Sequence, residues 1–510
     1  MSELAKHIRR GFLKIAAFAS GVIATLVMLV PLDAQALPAF ARQTGQNCMA
    51  CHAGGQFPEL TPYGRMFKMT GYTTGARGIP LSVMGVLNYA NVSNTSKSDN
   101  PTGPGGDFQK NGDLVFGSAS LFVAGKITDN IGLFSQITYN KYDHEATDAD
   151  GNPNGHWDSH TNVDNIDLRY ADRFVDANSD LIVGVSANNN PSVTDPWNTA
   201  AAWMQYVPPA GLTSYQFADA STPYPSNATD GNVAGLSAYA YWNQTIYAEL
   251  GFYQTANGFF NFMSAGISSA DKTQLKGDFN PYVRLALNHE WGPHSLMVGA
   301  TGSEAHLYDN NDPSDPNNAF RIRNAGIDAQ YQYLLDPHAI TAQFAYMKQK
   351  TDLSANGVAG LAPSDIFFAD PGLTTPLAAG NSSDTTDTFR AKLTYVYRAQ
   401  YGGSLAFFNL TGTTDTALQS SGFESTCTNG ELICSGANGG NSVRVNGNLS
   451  GDPATRGMTY ELFWTPIQYI RVGMQYTAYN KYNGASNNYD GLGRNASDNN
   501  TLFGYVWLAY

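Results

Sequence analysis

From residue 81 to its last residue, the chain alternates short and long connections between segments whose side chains change character at every position. In 340–349, Ile340, Ala342, Phe344 and Tyr346 alternate with Thr341, Gln343 and Gln349. In 470–478, Ile470, Val472, Met474, Tyr476 and Ala478 alternate with Arg471, Gly473, Gln475 and Thr477. In 115–127 the odd positions from Val115 to Ile127 are small or apolar, with Ser118, Ser120 and Lys126 between them. This period of two marks strands with one oily and one polar face. Tight turns fall near 128–130, 175–180, 243–244, 292–293, 336–338, 399–402 and 466–468. Long loops rich in Asn, Asp, Gly and Ser fall near 94–112, 143–163, 189–232, 257–278, 308–318, 351–385, 414–456 and 481–499.

A soluble β-sandwich also alternates, but a regular succession of short and long connections is the mark of an up-and-down membrane barrel. The predicted fold class is all-β: an antiparallel transmembrane β-barrel of about sixteen strands over 81–510, an even number as bacterial barrels require. Tight turns would face the periplasm and long loops the outside, which puts both ends of the barrel on the periplasmic side. Leu502, Gly504, Val506, Leu508 and Tyr510 alternate up to a final aromatic residue, as in the last strand of outer-membrane proteins. Composition agrees, with 14% charged residues, 51 Gly and 29 Tyr. A soluble protein usually carries more charge, and a helical membrane protein more apolar runs.

Ahead of the barrel, Lys6, Arg9, Arg10 and Lys14 precede an apolar run from Ile15 to Leu32, and Ala34-Gln35-Ala36 fits a small-residue cleavage site. Residues 1–36 therefore read as a signal peptide; a retained anchor is the alternative, because the run approaches spanning length. Removing four basic and two acidic side chains with it moves the net charge from −13 to about −15. That balance argues against nucleic acid as a partner.

Just beyond lies Cys48-Met49-Ala50-Cys51-His52, a C-x-x-C-H motif holding two of the four cysteines. Each thiol can add to a vinyl group of haem, and the adjacent imidazole is then placed to bind the iron. Zinc would want a second C-x-x-C or a His pair at ligand spacing, and neither is present. A chance match or a plain disulfide is the alternative. The reading is one covalent haem c on Cys48 and Cys51, with His52 as axial iron ligand. Met69 or Met66 is the nearby thioether candidate for the second ligand, and packing on the porphyrin is the plainer role for either. Cys427 and Cys434, in a Gly/Ser/Asn-rich stretch, are expected to form a loop disulfide.

Arg169, Arg173, Arg284, Arg390, Lys392 and Arg471 fall on the predicted lumen face, where they would form interior salt bridges, meet haem propionates or brace the head. In the loop 143–160, Asp143, His144, Glu145, Asp148, Asp150, His156, Asp158 and His160 suit a divalent first-row metal, although a solvated turn-rich loop explains the same residues. Asp309, Asp312 and Asp315 lack the spacing of a calcium-binding EF-hand loop.

Around the haem motif, Phe40-Ala41-Arg42-Gln43-Thr44-Gly45, Phe57-Pro58, Gly64-Arg65, Phe67-Lys68 and Gly71-Tyr72 resemble the fused cytochrome–porins of bacterial outer membranes, best known from iron-oxidising cytochromes. The motif match covers roughly 37–75, and over the barrel the similarity is one of architecture. The resemblance implies a single c-type haem within or at the mouth of a porin, carrying electrons across the outer membrane. Residues 37–80 would then be a monohaem cytochrome c head, too small to bury much core alone, docked in the lumen from the periplasmic mouth. Extracellular Fe(II) is the favoured donor and a periplasmic cytochrome the acceptor, with Fe(II) oxidase activity left open. The other class is a solute-diffusing porin in which the haem head is a plug or redox sensor.

Overall fold

The computed structural model describes residues 38–55, 59–94, 111–147, 153–199, 233–264, 273–308, 312–315, 317–354, 380–415, 450–489 and 493–510. The expected signal peptide and the expected Cys427–Cys434 disulfide lie outside the described residues, as do Phe57 and Pro58. Sixteen antiparallel strands close into one barrel. They are β1 Leu81–Val92, β2 Leu114–Lys126, β3 Ile131–Thr147, β4 Pro153–Val175, β5 Asp180–Asn188, β6 Val233–Trp242, β7 Ile246–Thr255 and β8 Asn280–Trp291. β9 His294–Tyr308, β10 Ala319–Leu335, β11 His338–Asp352, β12 Ser383–Tyr397, β13 Tyr401–Gly412, β14 Thr455–Ile467, β15 Ile470–Lys481 and β16 Thr501–Ala509 complete the wall. Each strand pairs with its sequence neighbours, and β16 returns to β1 with Met84 opposite Ala509. Closure leaves no unpaired edge, which is what lets a sheet cross lipid.

Alternation sorts the side chains. On β11, Thr341, Gln343 and Gln349 are buried toward the lumen, while Ile340, Ala342 and Phe344 point out. Leu285, Leu287 and Leu462 are each more than half exposed on the exterior. Trp242, Trp291, Tyr401 and Trp464 also face outward, next to the tight turns. A continuous apolar exterior of this kind belongs in a bilayer, with aromatic residues at its edge, and closed barrels so built are outer-membrane proteins.

Two sequence expectations are corrected. A β-bulge lies in β2, where Val86 faces Ser118 and Leu87 faces Phe116, so that Gly117 has no partner. The extra residue reverses the facing: Leu114 and Phe116 are exposed on one side of it, Leu121 on the other. Residues 115–127 therefore do not keep one oily parity. The expected loop 143–163 is mostly strand, with His144 opposite Asp158 and Glu145 opposite Trp157. This hairpin stands beyond the lipid belt, where a strand needs no oily face and the period-two signal disappears.

Candidate functional site

Among the described residues of 38–55 and 59–79 are three short α-helices, α1 Pro38–Thr44, α2 Cys48–Cys51 and α3 Pro62–Met69. α2 is the first half of C-x-x-C-H. Asn47 caps it, its side chain accepting from the Ala50 N–H at 3.3 Å, and the His52 N–H donates to the Cys48 carbonyl at 2.8 Å. α3 begins at Thr61, whose hydroxyl accepts from the Gly64 N–H at 3.1 Å, with Pro62 in the first turn. The same hydroxyl donates to the Ala50 carbonyl, and the Thr61 N–H donates to Cys51 at 2.9 Å. One side chain thus fixes α3 against the motif. The helices cross at Gly64, where a Cβ would stand 2.1 Å from the Cys51 carbonyl oxygen. Only glycine fits there.

Cys48 is buried, its Sγ 3.9 Å from the Gln468 carbonyl in the β14–β15 turn. Cys51 is half-buried, and neither thiol is in a disulfide among the described residues. Burial, and then the neighbouring Cys48, pushes the Cys51 thiol up to about 11. His52 bridges to Leu60, and burial lowers its imidazole to about 3. The ring is therefore neutral, the form that binds a metal. Beyond it, Gly54 adopts φ +61°, and a Cβ there would meet Val396 at 2.8 Å. The motif thus lies against β12 at the tight-turn end of the barrel.

Inward side chains grip this segment from around the ring. The Ala39 N–H donates to Ser82 on β1 at 3.0 Å. Gln43 accepts from the Lys126 N–H at 2.8 Å and donates to the Tyr72 and Thr74 carbonyls. Arg65 is 1% exposed and donates to Gln332 at 2.9 Å, Ser295 at 2.7 Å and Glu290 at 3.1 Å. Lys392 on β12 pairs with Glu59 at 2.7 Å, each side chain 5% exposed. The Tyr72 hydroxyl donates to Asp167 at 2.6 Å, and the Tyr239 hydroxyl to the Met69 carbonyl at 2.7 Å. The small apolar centre of the segment, Phe40 on Phe67 and Tyr72, continues into Phe134 of the wall. The barrel supplies the core that forty residues lack.

A second element enters the lumen after β5. Helix α4, Pro191–Thr194, is capped by Asn190 and leads to Trp197, which is 0% exposed beside Tyr241 and Tyr247. The Asp195 carboxylate meets Arg284 at 3.2 Å, and its carbonyl accepts from Lys68 at 2.9 Å.

The other expected residues fall as follows. A helix turns about 100° per residue, so Met66 and Met69 lie about 200° and 140° around α3 from Gly64. Both thioethers pack toward the wall, Met69 at 1% exposure among Trp197, Tyr239 and Tyr247. Arg169, Arg284, Arg390, Lys392 and Arg471 are buried toward the lumen. Arg169 pairs with Asp167, Arg284 with Asp195 and Asp328, and Arg471 with Glu461. Arg173 pairs with Asp180 at the rim. His156 and Asp158 are exposed on β4 and His160 is half-buried; among the described residues no three His, Cys, Asp or Glu gather as a metal site. Arg65 and Tyr72 were legible only as parts of a motif, and their wall partners Glu290, Gln332 and Asp167 had no local signal; Glu59 had none either, while its partner Lys392 was expected on the lumen face.

No family model matches this chain, and no curated protein does. Among solved structures, the outer-membrane protein OmpT of Vibrio cholerae is 10% identical, covering 84% of this chain and 97% of its own, with a TM-score of 0.38. The outer membrane channel DcaP of Acinetobacter baumannii is 11% identical over 84% and 96%, with a TM-score of 0.40. OmpF of Salmonella typhi, solved with daunomycin, is 12% identical over 84% and 97%, also at 0.40.

Proposed function

We propose that this outer-membrane barrel carries electrons through one haem c attached to Cys48 and Cys51. His52 would hold the iron, and the donor would be extracellular Fe(II) or another small reductant. The observation that carries the proposal is the pairing of a C-x-x-C-H turn with a lumen that grips it. Two thiols one helical turn apart and a neutral imidazole are the donor set such a haem takes. When bound, the haem supplies a one-electron ferric/ferrous couple. The chain's own residues do the rest. Thr61 and Gly64 hold α3 against the motif, and Glu59–Lys392 and Arg65–Glu290 hold the segment in register with the wall. The fold supports a traffic direction as well, because short turns of such barrels face the periplasm. A soluble periplasmic cytochrome would meet the segment there, and a small donor would enter through the long-loop end.

Taken without its contents, the closed barrel with its polar lining supports solute diffusion more directly, with residues 38–79 as a constriction. One pair of experiments separates the two. Haem stain that survives denaturing electrophoresis should be lost in Cys48→Ala/Cys51→Ala, and Fe(II) should reduce the wild-type protein in liposomes. Stain retained in the double variant, or protein with no haem that conducts ions across planar bilayers, would leave the channel reading standing alone.

A further inference from the structure

Outward charge on the strand wall concentrates above the apolar belt on β10 and β11. Reading β11 from the tight-turn end, the outward residues run Ile340, Ala342, Phe344, Tyr346, Lys348, Lys350, Asp352. Apolar gives way to aromatic and then to charged over roughly 13 Å from Phe344 to Lys348 at the rise of a strand. β10 runs the same way from Ile327, which is exposed, through Ala325 to Arg323 and Arg321. Phe344, Phe389 and Phe407 stack edge to face across β11, β12 and β13 and mark the top of the belt.

Above this line the four cations Arg321, Arg323, Lys348 and Lys350 face three carboxylates among the described residues, Asp352, Asp387 and Glu304, the last opposite Arg323 on β9, which leaves one positive charge in excess. Asp352 alone meets Arg321 at 3.0 Å, Arg323 at 2.8 Å and Lys350 at 3.1 Å. Lys348 has Asp387 at 3.8 Å, a carboxylate that also accepts from the Tyr346 hydroxyl. Arg323 stands directly opposite Lys350 in the ladder, a placement in which like charges oppose pairing. All four cationic side chains are 40% exposed or more. Exposed pairs of this type contribute little to stability, so the wall gains little from holding them there.

We propose that Arg321, Arg323, Lys348 and Lys350 form a ledge that binds the phosphate groups of an anionic glycolipid in the outer leaflet. The ledge continues the lipid-facing wall, it lies at the long-loop end where headgroups begin, and its excess charge is positive. Guanidinium forks and ammonium groups are the side chains that bind phosphate, and basic groups near a membrane surface attract anionic lipid. A lipid docks its acyl chains on Ile327, Phe344 and Phe389 while its phosphates bridge the opposed Arg323 and Lys350.

The test is native mass spectrometry of the full chain in detergent, titrated with diphosphoryl lipid A, with the same lipid stripped of phosphate, and with inorganic phosphate. Wild-type protein should retain diphosphoryl lipid A, and Arg323→Gln/Lys350→Gln should weaken it at least tenfold while keeping the heat-modifiable gel mobility of a folded barrel. The stripped lipid should bind as weakly to wild type as the intact lipid does to the variant. Raising salt should weaken wild-type binding, a readout that needs no variant. Equal binding by the variant, or binding indifferent to salt and to phosphate removal, overturns the ledge. Displacement of the lipid by equimolar inorganic phosphate overturns the lipid assignment, and so does an oligomer that falls apart in the variant.

Discussion

Arg284 and Leu285 are neighbours in β8, yet one is 0% exposed inside the barrel and the other 61% exposed on its exterior. The same backbone thus serves two solvents. Inside, a guanidinium is held by Asp195 and Asp328 at 3.2 and 2.8 Å. Outside, nothing but hydrocarbon is offered, and leucine is what remains stable there. Charge is tolerated by partner on one face and by position on the other, since outward cations of β10 and β11 occur only at the rim. The segment 38–79 exploits the inner rule, reaching the wall through ion pairs and carboxylate hydrogen bonds.

Breaking the inner rule should cost most. Arg284→Met leaves Asp195 and Asp328 buried without their cation, and removal of one partner from a buried pair costs about 3–5 kcal/mol; urea unfolding in liposomes followed by tryptophan fluorescence measures it. Breaking the outer rule one residue away should cost less. Leu285→Arg faces lipid, where an arginine near the midplane costs about 2–4 kcal/mol, read by the same titration. If both variants lost the same stability as a neutral lumen change such as Gln343→Asn, the two-solvent account would fail. Tyr72→Phe sharpens the inner case, because Asp167 keeps Arg169 at 2.6 Å and Ser186 at 2.7 Å. Its loss should be about 1.5 kcal/mol, the low end for a hydrogen bond to a charged group. Protease protection of residues 38–79 is a local readout of that loss. Smallest is the rim, where Arg173→Ala removes a partly exposed pair with Asp180 and should cost about 0.2–1 kcal/mol.

What could be foreseen divides along the same faces. Where a strand has lipid on one side and polar lumen on the other, as in 340–349, the alternation shows directly in the sequence. Where both sides are wet, as in β3 and β4 beyond Asn140 and His160, nothing alternates and strand is indistinguishable from loop. A single bulge at Gly117 reversed the facing of β2 without changing its composition. The motif Cys48–His52 was legible because its chemistry is local, five residues in a row. Of the grip on it, Lys392 was legible as a lumen-face residue that could brace the head, but its partner was not: Arg65 meets Glu290 and Glu59 meets Lys392 hundreds of residues apart, and a pairing at that distance leaves no mark in spacing. The orientation of Met66 and Met69 depended on which face of α3 Gly64 turns to Cys51.

The seam between β1 and β16 turns the wall into an unbroken enclosure. The Val83 N–H donates to the Tyr510 carbonyl at 2.7 Å and the Tyr510 N–H returns to Val83 at 2.8 Å, so a reciprocal backbone pair fastens the ring. Everything the lumen holds is walled in by it, and on the turn side reaches solvent only through a mouth ringed by seven tight turns. The segment written ahead of the wall in the chain is gripped from several sides of that enclosure, so its release would need the wall's inner ion pairs to break rather than the ring to open.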